Sequence, residues 1–207
     1  MIYDITPAVS PALKVWPGDT PPTREVVSDL KSGATTTSST LHSSVHLGAH
    51  ADSPSHYGRN APNIDEQPID LYLGRCQVIH VDVPPATGVD PGMLGAEIEA
   101  PRVLIGTGTF PDPNVFNEDF AALSEELIEH FARLGVVLVG IDTPSVDLFT
   151  CEDLPTHKAC LEHNVAILEG LVLADVPDGL YELIALPLKL VGFDASPVRA
   201  ILRDLSC

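Results

Sequence analysis

Eleven residues, His46-Leu47-Gly48-Ala49-His50-Ala51-Asp52-Ser53-Pro54-Ser55-His56, leave this backbone few choices. The side chains among them that can ligate a metal, His46, His50, Asp52 and His56, all fall at even positions. A helix does not suit them. His46 and His50 would share a face, but Asp52 would point elsewhere, Gly48 is a poor helix former and Pro54 would break the hydrogen-bond ladder. Extended backbone does suit them, because a period of two puts all four on one side, with Gly48 and Pro54 between them. A perfectly straight strand still fails. Residues two apart are separated by roughly 6.6 Å along it, whereas the ligands of one ion all come within about 2.0–2.2 Å of it. The run must therefore curl; Gly48 permits the curl and Pro54 sets the exit direction. The bland alternative is a polar surface strand whose histidines coincide. One His pair would often arise by chance, but four such residues in phase, with small residues between them, point to a metal site of the catalytic zinc type.

The remainder of the chain is compatible with that. Its 207 residues suffice for one domain, 1–207, with a sizeable core, and 44% apolar residues make it globular. A net charge of −18 argues against nucleic acid or an anionic membrane as partner. It does not oppose a metal site, since a bound cation dominates its own neighbourhood. Cys76, Cys151, Cys160 and Cys207 form no Cys-x-x-Cys pair, and reduced thiols are expected. The N-terminus lacks a basic region followed by an apolar core, and no apolar run reaches membrane-span length, so the expected compartment is the cytoplasm.

Local patterns predict an α/β chain. Strands are expected over 1–6, 24–30, 75–83, 102–107, 136–141, 165–168, 180–188 and 197–202, with a long extended segment over 34–47 feeding the ligand run. Trp16-Pro17-Gly18-Asp19 suits a type II turn. Helices are expected over 93–100, 124–134 and 156–164. Ser124 suits an N-cap, Gly135 a stop and Asn164 a left-handed C-cap. Asp142 and Asp147 flank Thr-Pro-Ser-Val at a strand end, where they could orient metal ligands or cap turns. His42, His80, His130 and His163 read as structural or surface residues. Alone, Trp16 reads as a core or turn-packing residue, His157 as an exposed helical histidine and Glu169 as a turn residue before Gly170.

The ligand run resembles the His-x-Gly-Thr-His-x-Asp-x-Pro-x-His motif of the metal-dependent cyclase superfamily of hydrolases, with Ala49 where Thr is usual. Trp16-Pro-Gly-Asp19, Gly140-Ile-Asp-Thr-Pro-Ser-Val-Asp147 and a block from His157 to Arg203 extend the resemblance over nearly the whole chain. Within the superfamily it is most similar to bacterial kynurenine formamidases (arylformamidases). The resemblance implies a swivelling β/β/α fold, a mixed sheet barrel with flanking helices, usually as a homodimer. It implies that His46, His50 and Asp52 hold one ion and that Asp52 bridges to a second, which also takes His157 and Glu169. His56 is then a proton donor and acceptor rather than a ligand, and Trp16 contacts substrate. Two Zn2+ per chain are expected, with Mn2+ as the alternative. The implied reaction is hydrolysis of the small aryl formamide N-formyl-L-kynurenine to L-kynurenine and formate, in tryptophan breakdown. The alternatives are a hydrolase of a cyclic amide such as isatin and a metal-binding protein without catalysis; metal storage alone has no need of His56. No Gly-x-Ser-x-Gly elbow occurs, so no serine nucleophile is implied.

Overall fold

The apolar runs of the sequence form the middle of one curled sheet. The structure, a computed structural model, describes residues 1–205; Cys207 lies outside the described residues. In chain order the strands are β1 (Ile2–Asp4), β2 (Thr23–Ser28), β3 (Ser38–His42), β4 (His50–Asp52), β5 (Leu73–His80), β6 (Gly88–Val89) and β7 (Arg102–Gly106). They continue as β8 (Ala122–Leu123), β9 (Leu138–Ile141), β10 (Ala166–Glu169), β11 (Gly179–Ile184), β12 (Ala195–Pro197) and β13 (Ile201–Asp204). The helices are α1 (Glu125–Arg133) and α2 (Pro155–His163). Nine strands make a mixed half-barrel in the order β1-β13-β11-β5-β7-β9-β10-β4-β12, with β2-β3 and β6-β8 as separate pairs. The central four, β5, β7, β9 and β10, are parallel, and β9 and β10 are buried throughout, as parallel strands covered on both faces should be.

Alternation along these strands feeds two cores. Val103, Ile105, Val139, Ile141 and Ile167 face Leu127, Ile128 and Phe131 of α1 and Ala159 and Cys160 of α2. Leu104, Leu138 and Leu168 point the other way, into the half-barrel, with Tyr72, Leu183 and Leu202. α1 starts as expected, the Leu127 amide donating to the Ser124 hydroxyl at 3.1 Å, and Asn164 closes α2 in the left-handed region at φ 54°. No helix among the described residues is long and apolar enough to cross a membrane.

Four expectations need correction. No helix forms over 93–100. Gly95 takes a φ of +64°, and the buried Gln77 amide brackets the segment, donating to the Glu97 carbonyl and accepting from the Glu99 amide; only a short 3-10 turn at Pro91–Met93 remains. The extended segment over 34–47 is paired only through β3, because its partner β2 begins at Thr23, opposite His42. The strand expected over 180–188 ends at Ile184, where its pairing with Leu73 and Ile201 ends. The strand expected over 197–202 is two strands. β12 pairs with β4 at one edge of the sheet, while β13 lies between β1 and β11 near the other. Ile201 is four positions after Pro197, a reach of at most about 14 Å. The two edges must therefore approach each other, and the sheet curls.

Candidate metal centre

The curl collects the ligand run at the carboxyl end of β10. The run is not one extended stretch, as its period suggested; only His50–Asp52 are a strand. Gly48 takes a φ of +55° just before it, and a 3-10 turn at Pro54–His56 follows. A Cβ on Gly170, the residue after Glu169, would collide with the Gly48 carbonyl oxygen. Glycine at both positions thus lets the two backbones meet. Strand β4 pairs with β10 so that His50 stands opposite Glu169 and Asp52 opposite Ile167. His50 and Asp52 share a face by the two-residue period, and cross-strand pairing puts Glu169 beside His50, Oε2 to Nε2 at 3.2 Å. Helix α2 brings His157 over the same point.

Each of three imidazoles is pinned on one nitrogen and aimed with the other. His50 Nδ1 donates to the Gly48 carbonyl at 2.9 Å, His157 Nδ1 to Asp147 Oδ2 at 2.6 Å and His46 Nε2 to Asp194 Oδ2 at 3.0 Å. Their other nitrogens converge on Asp52: His46 Nδ1 and His50 Nε2 lie 3.0 and 3.4 Å from Oδ1, and His157 Nε2 lies 3.4 Å from Oδ2. Glu169 Oε1 accepts the Val146 amide at 2.7 Å and lies 3.5 Å from His157 Nε2. Oxygen acceptors behind ligating histidines are the usual means of orienting them for a metal.

The interior of the cluster is close but unsatisfied. His50 Nε2 and both oxygens of Asp52 are buried and make no hydrogen bond, since the short contacts around them lack hydrogen-bond alignment. A cation placed among them would satisfy all three. Two groupings have ligand atoms near enough to hold an ion, His50–Asp52–Glu169 and His46–Asp52–His56, and Asp52 belongs to both. The electrostatics agree. Burial opposes charging His50, yet the Asp52 and Glu169 carboxylates outweigh it and lift its pKa to about 10. His157 is likewise lifted to about 10, by Asp147 and Asp52 against burial. Three surrounding imidazoles hold Asp52 well below the usual carboxylate range despite its burial. The negative charge that retains those protons would equally retain a divalent cation. His56 is different, its pKa pushed down by burial. Imidazole and carboxylate oxygen are the donors that zinc accepts, so the residues fit the group.

A cavity of about 780 Å³ opens above the cluster, with His46, His50, His56, His157 and Glu169 at one end and Trp16, Phe110 and Phe193 among its walls. The Trp16 turn is of type II, with Gly18 at φ +103° and the Asp19 amide donating to the Trp16 carbonyl at 2.9 Å. Trp16 packs edge-on against Phe116 and Phe120 and tilted against Phe149. The two open aspartates resolve differently. Asp147 holds the His157 ring, and by accepting the Thr156 and His157 amides it also caps α2. Asp142 caps the turn after β7, accepting from the Thr107 and Gly108 amides. His42 pairs with Glu25 on the exposed hairpin, His80 bonds Asp178, and His163 is exposed at the end of α2. Sequence reasoning missed Asp194. It lies 148 residues from His46, and no local spacing could tie the two together.

The Cyclase family model, described as "Putative cyclase", matches residues 3–148. A solved structure described as a potential metal-dependent hydrolase with cyclase activity is 28% identical, with a TM-score of 0.85 over 98% of this chain and 96% of its own. A "predicted metal-dependent hydrolase" from Bacillus stearothermophilus is 29% identical, with a TM-score of 0.82 over 98% of this chain and 97% of its own. Isatin hydrolase A from Labrenzia aggregata, 21% identical, shares the fold at a TM-score of 0.82 over 98% of this chain and 93% of its own.

Proposed function

The chain belongs to the cyclase family, and from that premise we propose that it is a metal-dependent amidase acting on aryl formamides. Its substrate is N-formyl-L-kynurenine and its products are L-kynurenine and formate, a step of tryptophan breakdown. The observation that carries this reading is one cavity holding both the His/carboxylate cluster and the Trp16 wall. The cluster accounts for amide hydrolysis and the wall for an aromatic leaving group.

His46, His50 and Asp52 would hold one ion, and Asp52, His157 and Glu169 a second. Two zinc ions so held would supply Lewis acidity, polarising an amide carbonyl and lowering the pKa of a water. The chain itself supplies the proton path and the fit. His56 stands at the cavity side of the cluster, and its ring makes no hydrogen bond among the described residues. It is therefore free to take the proton of the attacking water and to return it to the leaving nitrogen. An anilide nitrogen leaves more readily than an alkyl amine, so one histidine suffices. Trp16, wedged among three phenylalanines, offers the ring a fixed flat surface. Formyl is the smallest acyl group and suits a carbonyl crowded between His56 and the ligands.

The test compares kcat/KM for N-formyl-L-kynurenine, isatin and an aliphatic formamide on the zinc-loaded protein. N-formyl-L-kynurenine should be the best substrate. If isatin or the aliphatic compound wins, the substrate assignment fails and the broader hydrolase reading stands alone.

The same reading makes the protein a cytoplasmic homodimer. Cys76, Cys151 and Cys160 are free thiols, in keeping with a reducing compartment. Strands β2 and β3 pair only with each other among the described residues, and the pair exposes Val27 and Leu41. A lone two-stranded hairpin is marginal in water, and a second copy would cover it. Sedimentation velocity should give twice the chain mass, and Leu41→Glu should lower it.

A further inference from the structure

One carboxylate at the rim of the cluster has no part in the hydrolysis described above. Asp194 Oδ2 lies 3.0 Å from His46 Nε2 and 3.6 Å from His56 Nδ1. The two rings lie against one another, centroids 4.2 Å apart and planes tilted by 44°. His46 is thereby held between two carboxylates, Asp194 on Nε2 and Asp52 on Nδ1. The main chain of Asp194 is anchored independently. Its carbonyl accepts from the Ser53 amide at 2.9 Å and the Ser53 hydroxyl at 3.0 Å, and Ser53 is fully buried. The side chain, by contrast, is half exposed and lines the cavity. What the fold needs from this residue is its carbonyl; the carboxylate is left to the site.

We propose that Asp194 is a positioning residue for both rings. By accepting from His46 Nε2 it fixes the tautomer that leaves Nδ1 for a metal. The same oxygen lies 3.6 Å from His56 Nδ1, beyond a hydrogen bond, and its charge orients that ring at the cavity face. Outer acceptors of this kind change metal affinity or activity by about 10–100-fold when removed. The His46 half of the inference rests on geometry alone, and the His56 half rests on the proposed function.

The experiment uses Asp194→Ala and Asp194→Asn in the full chain. Zinc affinity is read by chelator competition, kcat and KM are read on N-formyl-L-kynurenine at saturating zinc, and a thermal melt is taken without metal. Asp194→Ala should bind zinc about 10–100-fold more weakly and lose kcat by about tenfold with KM held, its metal-free melt unchanged because the Ser53 clamp is main-chain. Asp194→Asn keeps an acceptor oxygen toward His46 and should recover zinc affinity to within a few-fold. Wild-type zinc affinity and kcat in the Ala variant would overturn the proposal. So would a loss of affinity in both variants that tracks a lowered melt, since that is a structural role. If the wild type hydrolyses no aryl formamide, the substrate reading falls, and zinc competition still decides the role of Asp194.

Discussion

His50, Asp52, His157 and Glu169 sit on β4, α2 and β10, with side chains no more than 5% exposed. His46, His56 and Asp194 sit on a loop, a 3-10 turn and the residue before β12, exposed by 16%, 35% and 50%. The deep half takes its spacing from strand register and a helix start, and it contains every unsatisfied buried atom of the cluster. The shallow half takes its spacing from carboxylate contacts and borders the cavity. Regular structure fixes atoms that must hold an ion at constant distance. Rings that exchange protons with a substrate need access, and loops at strand ends give it. On the proposed reading the difference separates holding from handling, with His46 the one shallow residue that would hold an ion as well, and substitutions at holding and handling residues should fail in different ways.

The largest effect is expected at Asp52, which faces both halves. Metal analysis of chelator-free wild type should find two divalent ions per chain, and Asp52→Ala should lose at least one of them together with all measurable hydrolysis. A variant that keeps both ions would break the comparison at its centre. Next comes His56. Its replacement by Ala should lower kcat by about 10²–10⁴ while both ions remain. Loss of metal in that variant would move His56 into the holding half.

Asp147 sharpens the deep side. Removing its carboxylate in Asp147→Ala frees His157 Nδ1 and uncaps α2. Zinc affinity should fall about 10–100-fold, and the metal-free protein should lose about 1 kcal/mol of stability in denaturant titration. Unchanged zinc affinity would mean that α2 alone positions His157. The smallest effect is expected at Trp16, outside both halves. Trp16→Ala should cost aryl formamides about 0.5–1.5 kcal/mol in kcat/KM, with aliphatic formamide turnover and metal content unchanged. An equal loss for both substrates would show that the aromatic wall supports the cavity rather than reads the ring.

Much of this is legible in the sequence. The even spacing from His46 to His56, the glycine that must permit a curl and the helix from Ser124 to Gly135 all follow from periodicity and backbone preference, which act over a few residues. The resemblance supplied His157 and Glu169, whose own surroundings in the chain look ordinary. Where local reasoning failed, a distant residue had intervened. Gln77 holds the 93–100 segment open against its helical pattern, and β4 claims Pro197 while β11 claims Ile201.

The sequence by itself determined the donor types, the need for a curl at Gly48, the Ser124 cap of α1 and the Asn164 cap of α2, because each is a matter of neighbours along the chain. Only the tertiary structure decided which oxygen faces which ring. It set Glu169 opposite His50 by cross-strand register, gave Asp147 two tasks and brought Asp194 to His46 across 148 residues. Those placements depend on how far a nine-stranded sheet bends before its edges meet, and that bend comes from the packing of both cores at once, which no single stretch of sequence contains.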